Sequence, residues 1–188
     1  MKLNIAQVIG LNTDQKAAQV ISSSREESTF LAVLELVCDD AFTKGRQALS
    51  ELEDFYFEFE GTPGEKLTAT FKEAQKKFSE EAQADFCLAA IAGKALYLIG
   101  QGQVEIYLKR SDKILPLLPV SVPSQLISGF ISEGDRMLLS TKSLITFLGS
   151  ELDKSLSLPI ANFEEEVGSK IGVSDLEDKG LAALAIEV

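Results

Sequence analysis

The sequence ALYLIGQGQVEIYLKR at residues 95–110 reads as two short apolar strands joined by a Gly-Gln-Gly-Gln turn at 100–103. Glycine supplies positive φ without a Cβ clash. Two glycines one residue apart, between runs of Leu, Ile, Val and Tyr, therefore predict a β-hairpin. Leu96, Leu98, Val104, Ile106 and Leu108 alternate with Tyr97, Glu105, Tyr107 and Lys109, which gives one face to a core.

Upstream of this hairpin, residues 85–92 read as a strand and Gly93-Lys94 as a tight turn. Two amphipathic helices precede it. One runs from about Ala41 to Glu58, with Phe42, Leu49, Leu52, Tyr56 and Phe59 near helical spacing. The other follows the Gly-Thr-Pro-Gly break at 61–64, with Leu67, Phe71, Ala74 and Phe78 on one stripe. On that second helix Lys72, Glu73, Lys76 and Lys77 face water, and with Lys66 the lysines read as a solvated face. Asp39 and Asp40 stand at the start of the first helix, where capping and the helix dipole favour acids.

Before these helices, residues 29–37 (TFLAVLELV) form a continuous apolar run of the kind buried on both faces, with Glu35 as its single charge. Residues 2–9 and 16–22 read as the arms of a hairpin around the LNTDQ turn, and residues 22–28 as a polar break. Downstream, Pro116 and Pro119 make 113–122 an edge strand or extended loop. Residues 124–131 and 136–141 read as short strands, 142–148 as a helix closed by Gly149, and 181–188 as a last buried strand. Asn162 with Glu165 resembles a capping box ahead of the Phe163, Val167, Ile171 stripe. The order is strands, two helices, strands, helices and a strand. It predicts an α+β fold of two mainly antiparallel sheets with helices outside each, in one domain over 1–188.

Composition narrows the chemistry. Twenty-nine acidic against 18 basic residues give a net charge of −11, which opposes nucleic acid and anionic membrane as partners. No apolar run approaches the roughly 20 residues of a membrane span. The first ten residues lack a signal-peptide core, so a cytoplasmic location is expected, with room for a longer parent chain that is membrane-anchored. Cys38 and Cys87 lie in apolar segments and read as small hydrophobes rather than a disulfide. The chain has no histidine, which removes Ser-His and Cys-His nucleophile pairs and imidazole metal sites. An N-terminal-nucleophile hydrolase, another αββα sandwich, needs a Thr, Ser or Cys at a processed start, and Met1-Lys2-Leu3 offers none.

The order of elements and four local strings resemble the type 2C (PPM) metal-dependent Ser/Thr protein phosphatases. Residues 31–52 (LAVLELVCDDAFTKGRQALSEL) have the outline of the family's apolar strand ending in Asp-Gly, followed by a turn and a helix, with Gly45 at the matching distance. Residues 102–107 (GQVEIY) fall where the family has Gly-Asp-Ser-Arg and an aromatic-containing strand. Residues 135–144 (DRMLLSTKSL) follow its Asp, apolar, Ser/Thr-Asp-Gly-Leu pattern, and residues 178–188 (DKGLAALAIEV) its closing Asp and strand. The resemblance implies a four-layer αββα sandwich and, in an active member, two divalent metals held by carboxylates with an attacking water between them.

At the positions matching the metal ligands this chain has Glu35, Gln103, Lys142 and Asp178, and only Asp178 keeps the family's Asp. A protonated Lys142 cannot ligate a metal, and the resemblance places it within reach of Glu35 or Asp178 for a salt bridge. Gln101 and Gln103 read as turn residues, and Arg25-Glu26-Glu27 does not assign a phosphate-binding arginine. The expectation is a catalytically inactive phosphatase-like domain that binds a protein partner and needs no cofactor. The alternative is a Mg- or Mn-dependent phosphatase with a remodelled site at Glu35, Asp39, Asp40 and Asp178.

Overall fold

A computed structural model of the chain describes residues 2–78, 83–118, 125–173 and 180–188. One sheet has the order β1 (Asn4–Ile9), β10 (Ala182–Glu187), β9 (Arg136–Thr141), β6 (Val104–Arg110), β7 (Lys113–Pro116). The other has β2 (Lys16–Arg25), β3 (Ser28–Val37), β4 (Gln83–Ala92), β5 (Ala95–Gln101), β8 (Ile127–Phe130). Every described pairing is antiparallel. Helices α1 (Ala41–Glu58) and α2 (Pro63–Lys77) cover the second sheet. Helices α3 (Lys142–Leu148), α4 (Leu152–Ser157) and α5 (Ile160–Val173) cover the first.

Strand periodicity builds these layers. In β3 the odd residues Leu31 and Val33 enter the core between the sheets. The even residues Phe30, Ala32, Leu34 and Leu36 pack under α1 and α2, so the run is buried on both faces up to Leu36, while Val37 at its end is exposed. α2 opens on a capping box. Thr62 Oγ1 accepts from the Glu65 N–H, the Thr62 N–H donates to Glu65 Oε2 at 2.8 Å, and Pro63 sits at the first helical position. Gly45 lets α1 settle onto β2, since a Cβ there would lie 2.5 Å from the Gln19 Oε1 atom.

Several expectations are corrected. Residues 95–110 are two strands but not a hairpin: β5 belongs to one sheet and β6 to the other, and the chain crosses between layers at 102–103. Leu96, Leu98, Val104, Ile106 and Leu108 all enter the same inter-sheet core, so a crossover between facing sheets leaves the alternation of a hairpin. β1 and β2 also part. β1 pairs with β10 and β2 with β3, and the loop between them is tied by Gly10 N–H to Leu181 O at 2.7 Å and by Asn12 to Ala18. The polar stretch 22–25 continues β2, which turns at Glu26 (φ 54°) into β3. Helix α5 starts at Ile160, so Asn162 lies inside it and caps nothing, while Phe163, Val167 and Ile171 are buried as expected. Phe42 and Phe59 are exposed, and Ala41, Gly45 and Ala48 join the buried stripe of α1 instead. The extended segment after β6 is the edge strand β7, and the part of it at 119–122 lies outside the described residues.

Candidate functional site

One rim of the sandwich gathers the polar residues that the sheets leave at their ends. Glu35 is an odd residue of β3, so it faces the space between the sheets two residues before the strand ends. Directly opposite it in β4 stands Asp85, with its side chain on the same face. Lys16 in β2 lies diagonally across, because Ala18 is the partner of Glu35 in that register. The Lys16 ammonium reaches Glu35 Oε1 at 2.7 Å. Burial pushes the Glu35 carboxyl above the usual glutamate range. The hydrogen bond and charge of Lys16 pull it back, and Asp85 pushes it further up.

Two glycines close this rim over the acids. Gly102, in the turn between β5 and β6, has φ 79°, and a Cβ there would fall 1.8 Å from Asp85 Oδ1. Gly180, ahead of β10, has φ 64°, and its Cβ would fall 2.5 Å from the Glu35 Cδ carbon. Gln103 and Lys142 are neighbours one rung beyond the β6–β9 ladder. The Lys142 N–H donates to Gln103 O at 3.0 Å, and the ammonium donates to Gln103 Oε1 at 2.8 Å. Three of the four positions singled out from sequence, Glu35, Gln103 and Lys142, thus lie on one chain of contacts through Asp85 and Gly102. Asp178 lies outside the described residues.

Of the two partners expected for Lys142, Glu35 is corrected. Lys142 forms no ion pair with Glu35, because β2 brings Lys16 to that carboxylate and β6 presents Gln103 to Lys142. A bond from Lys142 to Asp178 falls outside the described residues. Sequence reading missed both Lys16 and Asp85. Pairing β1 with β2 hid the diagonal between Lys16 and Glu35, and Asp85 looked like the polar start of an apolar strand.

The remaining candidates stand apart. Asp40 adopts φ 57° at the head of α1 and caps it with no side-chain bond; the Ala41 N–H donates to Asp14 O instead. Asp39 accepts from Gln15 Nε2 at 2.9 Å. The capping expected of this pair is therefore not made by its carboxylates. Gln101 closes β5 rather than lying in the turn, and accepts from Gln75 of α2 at 2.9 Å. Arg25 sits at the other end of β2, against Asp54 at 2.9 Å and over the Phe57 ring. Cys38 and Cys87 are free thiols; Cys87 is fully buried with its pKa pushed up to about 12, which leaves it inert. On α2, Lys77 pairs with Glu51 of α1 and Lys76 with Glu73.

The described residues do not by themselves supply the ligands of a pair of divalent metals, and Asp178 lies outside them. Among the described residues no three Asp, Glu, Cys or His side chains stand together in a metal-holding group. Glu35 is engaged by one ammonium and Gln103 by another. The Glu35 pKa has a consequence for stability. An acid whose folded pKa is raised weakens the fold as pH rises from its ordinary value, about 4.3, through the folded one. Glu35→Gln lacks that loss, so its stability relative to the parent protein rises with pH across this window. Urea titrations at closely spaced pH values check it; a relative stability independent of pH refutes the assignment.

No protein-family model and no curated protein sequence matches the chain. Its fold is that of solved serine/threonine phosphatases. The S. agalactiae serine/threonine phosphatase aligns at TM-score 0.77 and 9% identity, covering 100% of this chain and 99% of that one. PstP/Ppp of Mycobacterium tuberculosis aligns at 0.73 and 15% identity, covering 100% and 98%. The PPM Ser-Thr phosphatase MsPP of Mycobacterium smegmatis, solved with cacodylate, aligns at 0.64 and 13%, covering 99% and 97%. Likeness at these identities establishes the protein phosphatase 2C fold, the four-layer αββα sandwich that the sequence resemblance implies.

Proposed function

We propose that this chain is a catalytically inactive member of the phosphatase 2C fold, a pseudophosphatase that acts by binding a protein partner in the cytoplasm. The observation that carries this reading is the pair of ammonium groups at the rim, Lys16 on Glu35 and Lys142 on Gln103. An ammonium and a dication about 4 Å apart repel by several kcal/mol even at an effective dielectric of about 20. Each lysine instead supplies a positive charge where an active relative would use a metal, and Gln103 brings an amide where charge is needed to hold one. Without a metal-activated water, and with no histidine in the chain, the rim has no general base of the usual kind for hydrolysis.

One observation favours the alternative, a metal-dependent phosphatase with a remodelled site. Glu35 and Asp85 face each other across adjacent strands, and two such carboxylates are the start of a hard-cation site. Calorimetric titration with Mn²⁺ and Mg²⁺, together with hydrolysis of p-nitrophenyl phosphate, separates the two. The pseudophosphatase gives no binding heat with excess metal and no turnover above buffer. Micromolar Mn²⁺ binding with turnover that disappears in Asp85→Ala or Asp178→Ala overturns it.

A further inference from the structure

β2 is an edge strand, and among the described residues only half of its outer edge is closed. Lys16 and Ala18 turn their backbone groups outward, where the preceding loop meets them. The Ala18 N–H donates to Asn12 Oδ1 at 2.8 Å, Asn12 Nδ2 donates to Ala18 O at 3.1 Å, and the Thr13 N–H donates to Lys16 O at 2.8 Å. The pairing of β2 with β3 runs without a bulge from Lys16 opposite Val37 to Arg25 opposite Ser28. Antiparallel alternation therefore turns Val20, Ser22 and Ser24 outward as well. Among the described residues nothing pairs with their edge groups, and Ser22 and Ser24 are exposed. Open edges are usually guarded by lysine, proline or a bulge. Residues 20–24 read Val-Ile-Ser-Ser-Ser and carry none of these.

Beside this open half lies a cavity of about 400 Å³ between the two sheets. Leu3, Ile5 and Ile91 give it apolar walls, and the exposed Glu26 and Glu27 line it at the turn that follows β2. The adjacent cation, Arg25, is already held by Asp54 and Glu53. Hydrogen-bonding edge, apolar recess and two acids unpaired among the described residues come together at one place, with a chain of net charge −11 behind them.

We propose that the Val20–Ser24 edge binds an extended basic peptide from a protein partner by antiparallel strand addition, placing an apolar side chain in the recess and lysine or arginine against Glu26 and Glu27. Main-chain bonds to the edge give the affinity, and the recess and the acids give the selectivity. This surface lies at the opposite end of β2 from Lys16, so peptide binding there is independent of whether the Glu35 rim hydrolyses phosphate.

The probe is the peptide acetyl-KKVTVTV-amide, with acetyl-EEVTVTV-amide as its acidic counterpart, added to the ¹⁵N-labelled protein. The basic peptide shifts the Val20, Ser22 and Ser24 amides and slows their hydrogen exchange, and the acidic one does not. In this register the valines face the recess and form the hydrogen-bonded pairs with β2. N-methylation at the valines therefore abolishes binding, and N-methylation at the threonines spares it. Glu26→Lys with Glu27→Lys weakens binding by roughly tenfold. Equal loss from both N-methylated peptides, equal binding of the acidic peptide, or no shift at millimolar peptide overturns the proposal. So does protection of these amides that grows with protein concentration alone, which assigns the edge to a second copy of the chain.

Discussion

Replacing Gly102 by alanine is expected to destabilise the protein by about 3 kcal/mol, which for a chain of this size lowers the thermal midpoint by roughly 6–12 °C. Two effects add. With φ at 79°, any side chain at this position meets the left-handed penalty of about 1–2 kcal/mol. A Cβ would also lie 1.8 Å from Asp85 Oδ1, 2.7 Å from its Cγ and 3.1 Å from its Cα. Rotating the Asp85 side chain relieves the first two clashes, but not the one with the backbone. Asp85→Ala in the same chain should therefore recover part of the loss, while the φ penalty and the crowding against the β4 backbone remain. A double-mutant cycle of Gly102→Ala and Asp85→Ala, read by thermal and urea unfolding, checks this. A single-substitution cost below about 0.5 kcal/mol, or no recovery in the double variant, refutes the close approach. The same substitution tests the rim, because Gly102 positions Gln103 beside Lys142.

That Gly102 matters was legible in the sequence, and what it touches was not. Two glycines between apolar runs marked a sharp turn, but a turn within a sheet and a crossover between facing sheets demand the same local chemistry. The alternation of Leu96, Leu98, Val104 and Ile106 named the buried face, yet a face that enters the core between two sheets is common property of both. Partner choice depends on pairings remote in sequence, such as Val104 opposite Thr141 and Leu96 opposite Gly129. The same ambiguity split β1 from β2. Local signals did better where the information is local. Helices α1 and α3 and strand β9 fall where apolar spacing, Gly149 and the 136–141 run placed them.

The rim divides in the same way. Glu35 was visible as the single charge in an apolar run, and Gln103 and Lys142 through the order of the strings around them. Their mutual arrangement followed only once the register was known, since Lys142 and Gln103 meet one rung beyond the β6–β9 ladder. Lys16 and Asp85 carried no local mark, because a lysine at a strand start and an aspartate before an apolar run are ordinary. A lysine beside Glu35 bears directly on the chemistry of the rim, as it offsets the negative charge of that carboxylate.

At the opposite end of β6, truncating Asp135 to alanine is expected to lower stability by about 2–3 kcal/mol at neutral pH. Its carboxylate is only 3% exposed and accepts three hydrogen bonds, from Arg110 Nε at 2.8 Å, Arg110 Nη2 at 2.6 Å and the Ser132 N–H at 2.8 Å. Arg110 also donates to Phe130 O at 2.9 Å, so the cluster ties β6 of one sheet to β8 of the other. The half-exposed guanidinium can return to water when Asp135 is removed, which keeps the loss below that of a wholly buried pair. The hydrogen bond from Arg110 holds the Asp135 carboxyl below the usual aspartate range, against the opposing effect of burial. A folded pKa below the unfolded value of about 3.9 stabilises the protein above that value, and the contribution is lost as pH falls through the folded pKa. The gap between parent and Asp135→Asn should accordingly be full at pH 7 and close progressively below about pH 4, as urea midpoints across the acid range would record. Arg110→Met should destabilise too, and return the Asp135 titration toward ordinary aspartate, since the guanidinium is the largest cause of its shift. A gap that stays constant with pH would assign Asp135 a packing role only, and the tie between the two sheets would then rest on the Phe130 bond and the apolar core.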